Sequence, residues 1–214
     1  MPVPRNAKIY HIVHIDRLPS ILASGGLFSD SRMRAEGCGG TTIGMGDLKA
    51  IRLNKRVDVY PRTCVGDYVP FYFCSRSVML YVIYKANHPA LQYRGGQDPI
   101  VHLEVDLAQA LDWADQSGVD WAVSLGNATA GFAEFRNDRE GLNDVRWDLL
   151  SNAYFTDPQV KDAKQSEALF YDFFPWELVG QIGTINAATA GRVAQIVQDN
   201  PHRPVVQAKP QWYY

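Results

Sequence analysis

Six short runs rich in β-branched and aromatic residues are scattered along the chain, and the intervals between them do not regularly hold a helix. They are IYHIV (9–13), DYVPFYF (67–73), DPIVHLEVDL (98–107), WAVSL (121–125), SEALFY (166–171) and RPVVQA (203–208). Such runs read as strands. Strands that do not alternate strictly with helices cannot make a βαβ sheet, so the expected class is α+β, with a sheet flanked by helices. SEALFY is short enough to be the end of a helix instead, and SVMLYVIYK (77–85) fits either state. Helix is expected over INAATAGRVAQIVQD (185–199), stopped before Pro201, and over 16–22, with Asp16 as its cap and Gly25-Gly26 as its end. Residues 29–66 have weak periodicity, many glycines and a basic second half. They read as a long, partly helical loop, and loops of that length in a compact domain are usually functional or disordered.

Composition works mainly by exclusion. A chain of 214 residues, 46% hydrophobic, suits one domain with a sizeable core. A net charge of −2 leaves no whole-chain footprint for duplex DNA, so any nucleic-acid contact must be local and short. Cys38, Cys64 and Cys74 are odd in number and lack a CxxC pair, which predicts free thiols and no metal site. No window reaches the roughly 18 apolar residues of a membrane span, and MPVPRNAKIYHIV lacks the features of a signal peptide, so a cytoplasmic protein is expected. GCGGTTIGMG (37–46) has no preceding strand and no following Gly-Lys-Ser/Thr, which makes it a flexible loop rather than a phosphate cradle. His11 and His14, three apart on a strand, point to opposite faces and cannot pair on a metal. A serine triad has no Gly-x-Ser-x-Gly elbow to stand on.

Within AKQSEALFYDFFPWELV (163–179), Glu167 sits directly before Ala-Leu-Phe-Tyr in a run that otherwise reads as core. A buried carboxylate is costly unless donors meet it, and such groups gather at functional sites. The residues alone leave two readings open, a solvated carboxylate at a strand end or a catalytic one. The aromatic run YVPFYF is similarly divided between a core strand and the wall of a pocket.

Five blocks narrow the choice. IYHIVHIDRLPSIL (9–22), GDYVPFYFCSRSVMLYVIY (66–84), GGQDPIVHLEVDL (95–107), QSEALFYDFFPWELV (165–179) and KPQWYY (209–214) resemble, in order and over nearly the whole chain, the DarT family of DNA ADP-ribosyltransferase toxins. The resemblance implies one compact ADP-ribosyltransferase-like domain over 1–214, with a split central sheet. It also implies NAD as co-substrate, no metal, transfer of ADP-ribose to a base of single-stranded DNA, and a DarG-like macrodomain antitoxin as partner. Carried over by residue, the catalytic glutamate falls on Glu167 of Gln165-Ser166-Glu167, with serine where the family has alanine. The essential arginine falls on Arg52, with Lys55 and Arg56 as alternatives. NAD contacts fall on His11, Ile12 and Val13, where valine replaces a threonine, and on Ser20 and Phe28, together with Arg52. Tyr68, Phe71 and Phe73 would wall the nicotinamide pocket or, equally, form core. Segment 31–53 would be the NAD-binding element and 127–167 the loop that presents the acceptor base.

The resemblance favours thymine as the acceptor, but Asn127 stands where thymine-modifying members often carry histidine, and that departure leaves guanine open. Arg32, Arg34, Lys49, Arg52, Lys55 and Arg56 would supply a local basic patch, and the protein would act as a monomer. Two competing classes remain. One is an ADP-ribosyltransferase acting on protein or RNA, or a NAD glycohydrolase, and the other is a non-catalytic nucleic-acid-binding module.

Overall fold

The computed structural model describes residues 2–152 and 157–214. Strand β1 (Lys8–His14) passes through a short turn into helix α1 (Leu18–Ala23) and strand β2 (Gly26–Phe28). The 29–66 stretch is more ordered than a loop. It holds helices α2 (Asp30–Ala35) and α3 (Gly46–Arg52), then a hairpin of β3 (Arg56–Val57) and β4 (Tyr60–Cys64). Next come β5 (Tyr68–Tyr72), α4 (Val78–Lys85), β6 (Ile100–Asp106), α5 (Leu107–Ser117), β7 (Trp121–Ser124) and β8 (Phe135–Arg136). The remainder is α6 (Trp147–Leu150), α7 (Pro158–Ala163), β9 (Glu167–Tyr171), β10 (Phe173–Pro175), β11 (Val179–Thr184), α8 (Ala187–Val197) and β12 (Val205–Ala208).

Local chemistry accounts for most of the boundaries. Side-chain oxygens of Ser29, Ser77, Asp106 and Asn186 accept backbone N–H groups at the starts of α2, α4, α5 and α8. Such caps contribute about 1 kcal/mol each. Gly118, at φ +64, takes the left-handed position that ends α5. Asp16 does not cap α1. Its carboxylate accepts from the backbone N–H and hydroxyl of Thr41 instead, which ties the start of the chain to the glycine-rich loop. SEALFY is a strand, because Glu167–Tyr171 pairs with β5 on one side and β7 on the other.

In the described residues eight strands form one sheet, in the order β12-β11-β6-β1-β5-β9-β7-β8. β1 and β6 pair over seven residues, whereas β1 and β5 share the single register pair Tyr10↔Tyr72 among those described. The sheet therefore splits between its two halves. The His11 ring spans the opening, its Nδ1–H donating to Pro70 O at 2.8 Å.

Strand alternation sets what lies on each face. Ile9, Val13, Val69, Phe71, Val101, Leu103 and Val105 face the main core with α5 and α8 residues, while Ile12 and Ile100 face a second cluster with Leu80 and Ile83 of α4. The floor of the split thus opens on the α4 side.

Candidate active site

Glu167 opens β9 directly opposite Tyr72 of β5, so both side chains leave the sheet on the face that carries the split. Its backbone N–H donates to Ser124 Oγ at 3.0 Å, and that hydroxyl in turn donates to Gly126 O. The strand start and the β7–β8 loop are held by one side chain. Arg52, the last residue of α3, reaches the carboxylate with Nη1 at 2.9 Å and 3.1 Å from its two oxygens. The side chains are 12% and 6% exposed, so this ion pair is largely withdrawn from water. Burial opposes the charge on Arg52, but Glu167 and then Asp30 outweigh it and hold the guanidinium pKa above its ordinary value. Arg52 Nη2 is buried with no hydrogen-bond partner among the described residues.

These groups line a deep cavity. Its walls are His11, Ile12 and Val13 of β1, Ser20 of α1, Phe28 of β2, Pro70 and Tyr72 of β5, Asn127 and Thr129 of the β7–β8 loop, and Glu167. Much of the 29–66 stretch completes it, including Asp30, Met33, Thr41, Thr42, Ile43, Met45, Lys49 and Arg52. Arg17 pins that wall, donating to the carbonyls of Gly39, Gly40 and Thr41 and to Thr42 Oγ1 at 2.8–3.3 Å. The glycine-rich loop is therefore fastened at both sides by Asp16 and Arg17 rather than free. Burial is the main cause that lowers the His11 pKa to about 4, with Lys49 and Arg52 adding to it against the Pro70 hydrogen bond and Asp30. His11 is a neutral donor at working pH. Burial and then the adjacent Glu167 push the Tyr72 phenol far up, so it stays protonated beside the carboxylate.

A buried anion gripped by a permanent cation, both facing an open cavity with a neutral histidine across the split, can stabilise positive charge that develops on a bound sugar. Among the described residues no group of histidine, cysteine or carboxylate side chains could hold a metal ion. Against known families, residues 10–214 match the model described as "ssDNA thymidine ADP-ribosyltransferase, DarT". The chain belongs to the DarT family. A DNA ADP-ribosyl transferase of Thermus aquaticus is 36% identical, covering 100% of this chain and 90% of the relative. Thermus sp. 2.9 DarT in complex with ADP-ribosylated ssDNA superposes with a TM-score of 0.90 at 33% identity, over 100% of this chain and 99% of that one. The same protein in complex with NAD+ gives 0.85 at 31% identity, over 100% of both chains.

The DarT resemblance in the sequence maps seven residues, His11, Ile12, Val13, Ser20, Phe28, Arg52 and Glu167, that all line this one cavity. Tyr68, Phe71 and Phe73 do not. Phe71 and Phe73 leave β5 on the opposite face, where Phe71 packs against Phe170 and Phe174 and Phe73 against Trp147. Tyr68 has the right face but lies farther along the strand, covered in a cluster with Val57, Val65 and Leu169. Pro70 and Tyr72 take the place expected of them, and the alternation of β5 was the signal that could have selected them.

The basic patch is also smaller than its residues suggest. Arg32 pairs with Asp172 at 2.8 Å and lies over the Phe28 ring, Lys49 pairs with Asp30, and Arg52 pairs with Glu167. That leaves Arg34, Lys55 and Arg56. The three cysteines are free thiols. Among the described residues no helix is long and apolar enough to cross a membrane.

Proposed function

We propose that this chain transfers ADP-ribose from NAD to a base of single-stranded DNA, thymine in preference to guanine. The observation that carries the reading is the buried Arg52–Glu167 pair facing the cavity of a DarT-family fold. The relatives' names and the Thermus complexes with NAD+ and with ADP-ribosylated ssDNA support it. NAD supplies a good leaving group, nicotinamide, and a ribose whose C1 becomes electron-poor as that bond breaks. The residues fit such a ligand, since Arg52 Nη2 is an unpartnered buried donor, His11 Nε2 is an acceptor because Nδ1–H is spent on Pro70 O, and the walls are mixed apolar and hydroxylic.

In this reading the cavity residues of 31–53, with β1, Ser20 and Phe28, hold the dinucleotide. The part of 127–167 that lies in the described residues presents the acceptor base; residues 153–156 of it lie outside them. Glu167 accepts a hydrogen bond from the ribose and stabilises its positive charge, much as a carboxylate does in glycoside hydrolysis. Arg52 stays charged at any working pH and favours the deprotonated form of the attacking base nitrogen; the N–H proton passes to solvent as the nitrogen–C1 bond forms and the C1–nicotinamide bond breaks. In this reading the protein is a cytoplasmic toxin that acts as a monomer and is opposed by a macrodomain antitoxin that removes the modification.

The test uses four single-stranded oligonucleotides differing in base content, incubated with NAD and weighed by mass spectrometry, with protein and RNA pools alongside. Addition of one ADP-ribose to thymine-containing DNA alone is expected. Label on protein or RNA, or nicotinamide release with no acceptor labelled, would replace the reading with one of its competitors.

A further inference from the structure

The β7–β8 loop leaves the cavity and ends on the surface in an aromatic ring. Asn127 and Thr129 line the cavity beside Glu167, and Phe132 follows three residues later, at most about 11 Å of chain away. Phe132 is 100% exposed, while the next most exposed aromatic among the described residues, Tyr84, is 48% exposed. The loop that carries it is held. Ala128 is buried in one cluster with Val57 of the β3–β4 hairpin, and Ala133, like Val59 and Tyr60 of that hairpin, packs against the same cluster. Ala130 and Ala133 close successive turns with backbone bonds to Asn127 O and Ala130 O, and Lys55 Nζ donates to Gly131 O at 2.9 Å. A large apolar ring on an anchored backbone, wholly in water, has a surface that a partner can cover with little further ordering.

The partner's charge can be read from the adjoining hairpin. Lys55, Arg56 and Arg62 lie along it, and among the described residues none of them forms an ion pair; Asp58 and Glu134 are the acidic residues of the same segments. We propose that Phe132 is a stacking platform for a base next to the acceptor base of single-stranded DNA, with these cations meeting the phosphates. This rests on the reading of DNA as the acceptor. Base stacking on an aromatic ring tolerates any sequence and contributes enough that its loss weakens binding by about 5- to 150-fold.

Fluorescence anisotropy of a labelled single-stranded oligonucleotide, run beside transfer from labelled NAD, tests it. Phe132→Ala is expected to raise the Kd and the KM for DNA within that range, with the KM for NAD unchanged, and Phe132→Trp to restore both. An abasic nucleotide placed beside the acceptor should weaken wild-type binding and leave Phe132→Ala unaffected. A Phe132→Ala protein that binds and modifies DNA like its parent overturns the platform while the transferase reading stands. A parent that binds DNA through Phe132 but transfers nothing overturns the transferase reading alone. If Phe132→Ala abolishes self-association and leaves DNA affinity intact, the ring belongs to a protein interface and the proposal fails.

Discussion

In the proposed reading, the buried pair of Glu167 and Arg52 serves both fold and chemistry. Removing one partner of a buried pair usually destabilises strongly, because a charge is left without compensation. Here Glu167→Gln keeps an amide oxygen within reach of Arg52 Nη1, and Asp30, 4.0 Å from Arg52 Nε, remains as a counter-charge. The variant is therefore expected to fold, with a loss of stability below about 2 kcal/mol. Its transfer rate should fall by about 10²–10³ or more, since an amide cannot supply the anion needed as the ribose becomes positive. Single-turnover transfer from labelled NAD, with a thermal melt of the same sample, separates the two effects; turnover within tenfold of the parent would remove Glu167 from the chemistry. Arg52→Lys keeps a charge that can still meet Glu167 but not the second nitrogen, Nη2, that the planar fork leaves for the ligand, and should lose about 10- to 100-fold in the same assay.

At the scale of elements, the wall over 37–45 depends on a side chain outside it. Arg17 holds four acceptors across Gly39 to Thr42, and Gly40 adopts φ +109, where an added β-carbon would run into the Arg17 stem. Only glycine accepts that backbone without strain. Arg17→Ala should leave the sheet intact but free this wall, raising the KM for NAD by about tenfold, the effect of roughly 1–2 kcal/mol of lost preorganisation, with kcat little changed. Hydrogen exchange should show faster exchange confined to 38–45, and unchanged protection there would refute the clamp. This organisation could not be seen in the sequence, because Asp16 reads locally as a cap and its partner Thr41 is 25 residues away. Strands β1, β5, β6, β7, β9 and β12 were visible as apolar runs. β11 was not, since VGQIGT contains two glycines and a glutamine and is made a strand by β6 and β12 on either side. Helix α5 is hidden in the sequence although Leu107, Ala110, Leu111 and Ala114 have helical spacing, because it starts where β6 stops and the apolar run of the strand continues into it. The pairing of Arg52 with Glu167 spans 115 residues, a distance over which spacing carries no information.

Over the whole molecule, two neutral histidines join the halves of the structure and make its stability sensitive to acid. His11 spans the split, while His102, fully buried on the neighbouring β6, donates through Nε2–H to Ser75 O and is enclosed by Trp212 and Tyr213 of the chain end. Burial is the largest cause that holds each pKa at about 4, against an ordinary value of 6.5. The folded values lie below the unfolded ones, so the unfolded chain binds more protons between pH 6.5 and 4. The histidines' stabilising contribution is complete above pH 6.5, falls as the pH drops through that window, and is lost below about pH 4. Near pH 5 the two together should give a slope of about 2 kcal/mol per pH unit. Urea unfolding from pH 7.5 to 4.5 would measure that slope, and NMR titration of the imidazoles would assign it to the two rings. If both rings titrate near 6.5 in the folded protein, neither is closed off as the packing of His11 and His102 requires, and the acid sensitivity must arise elsewhere.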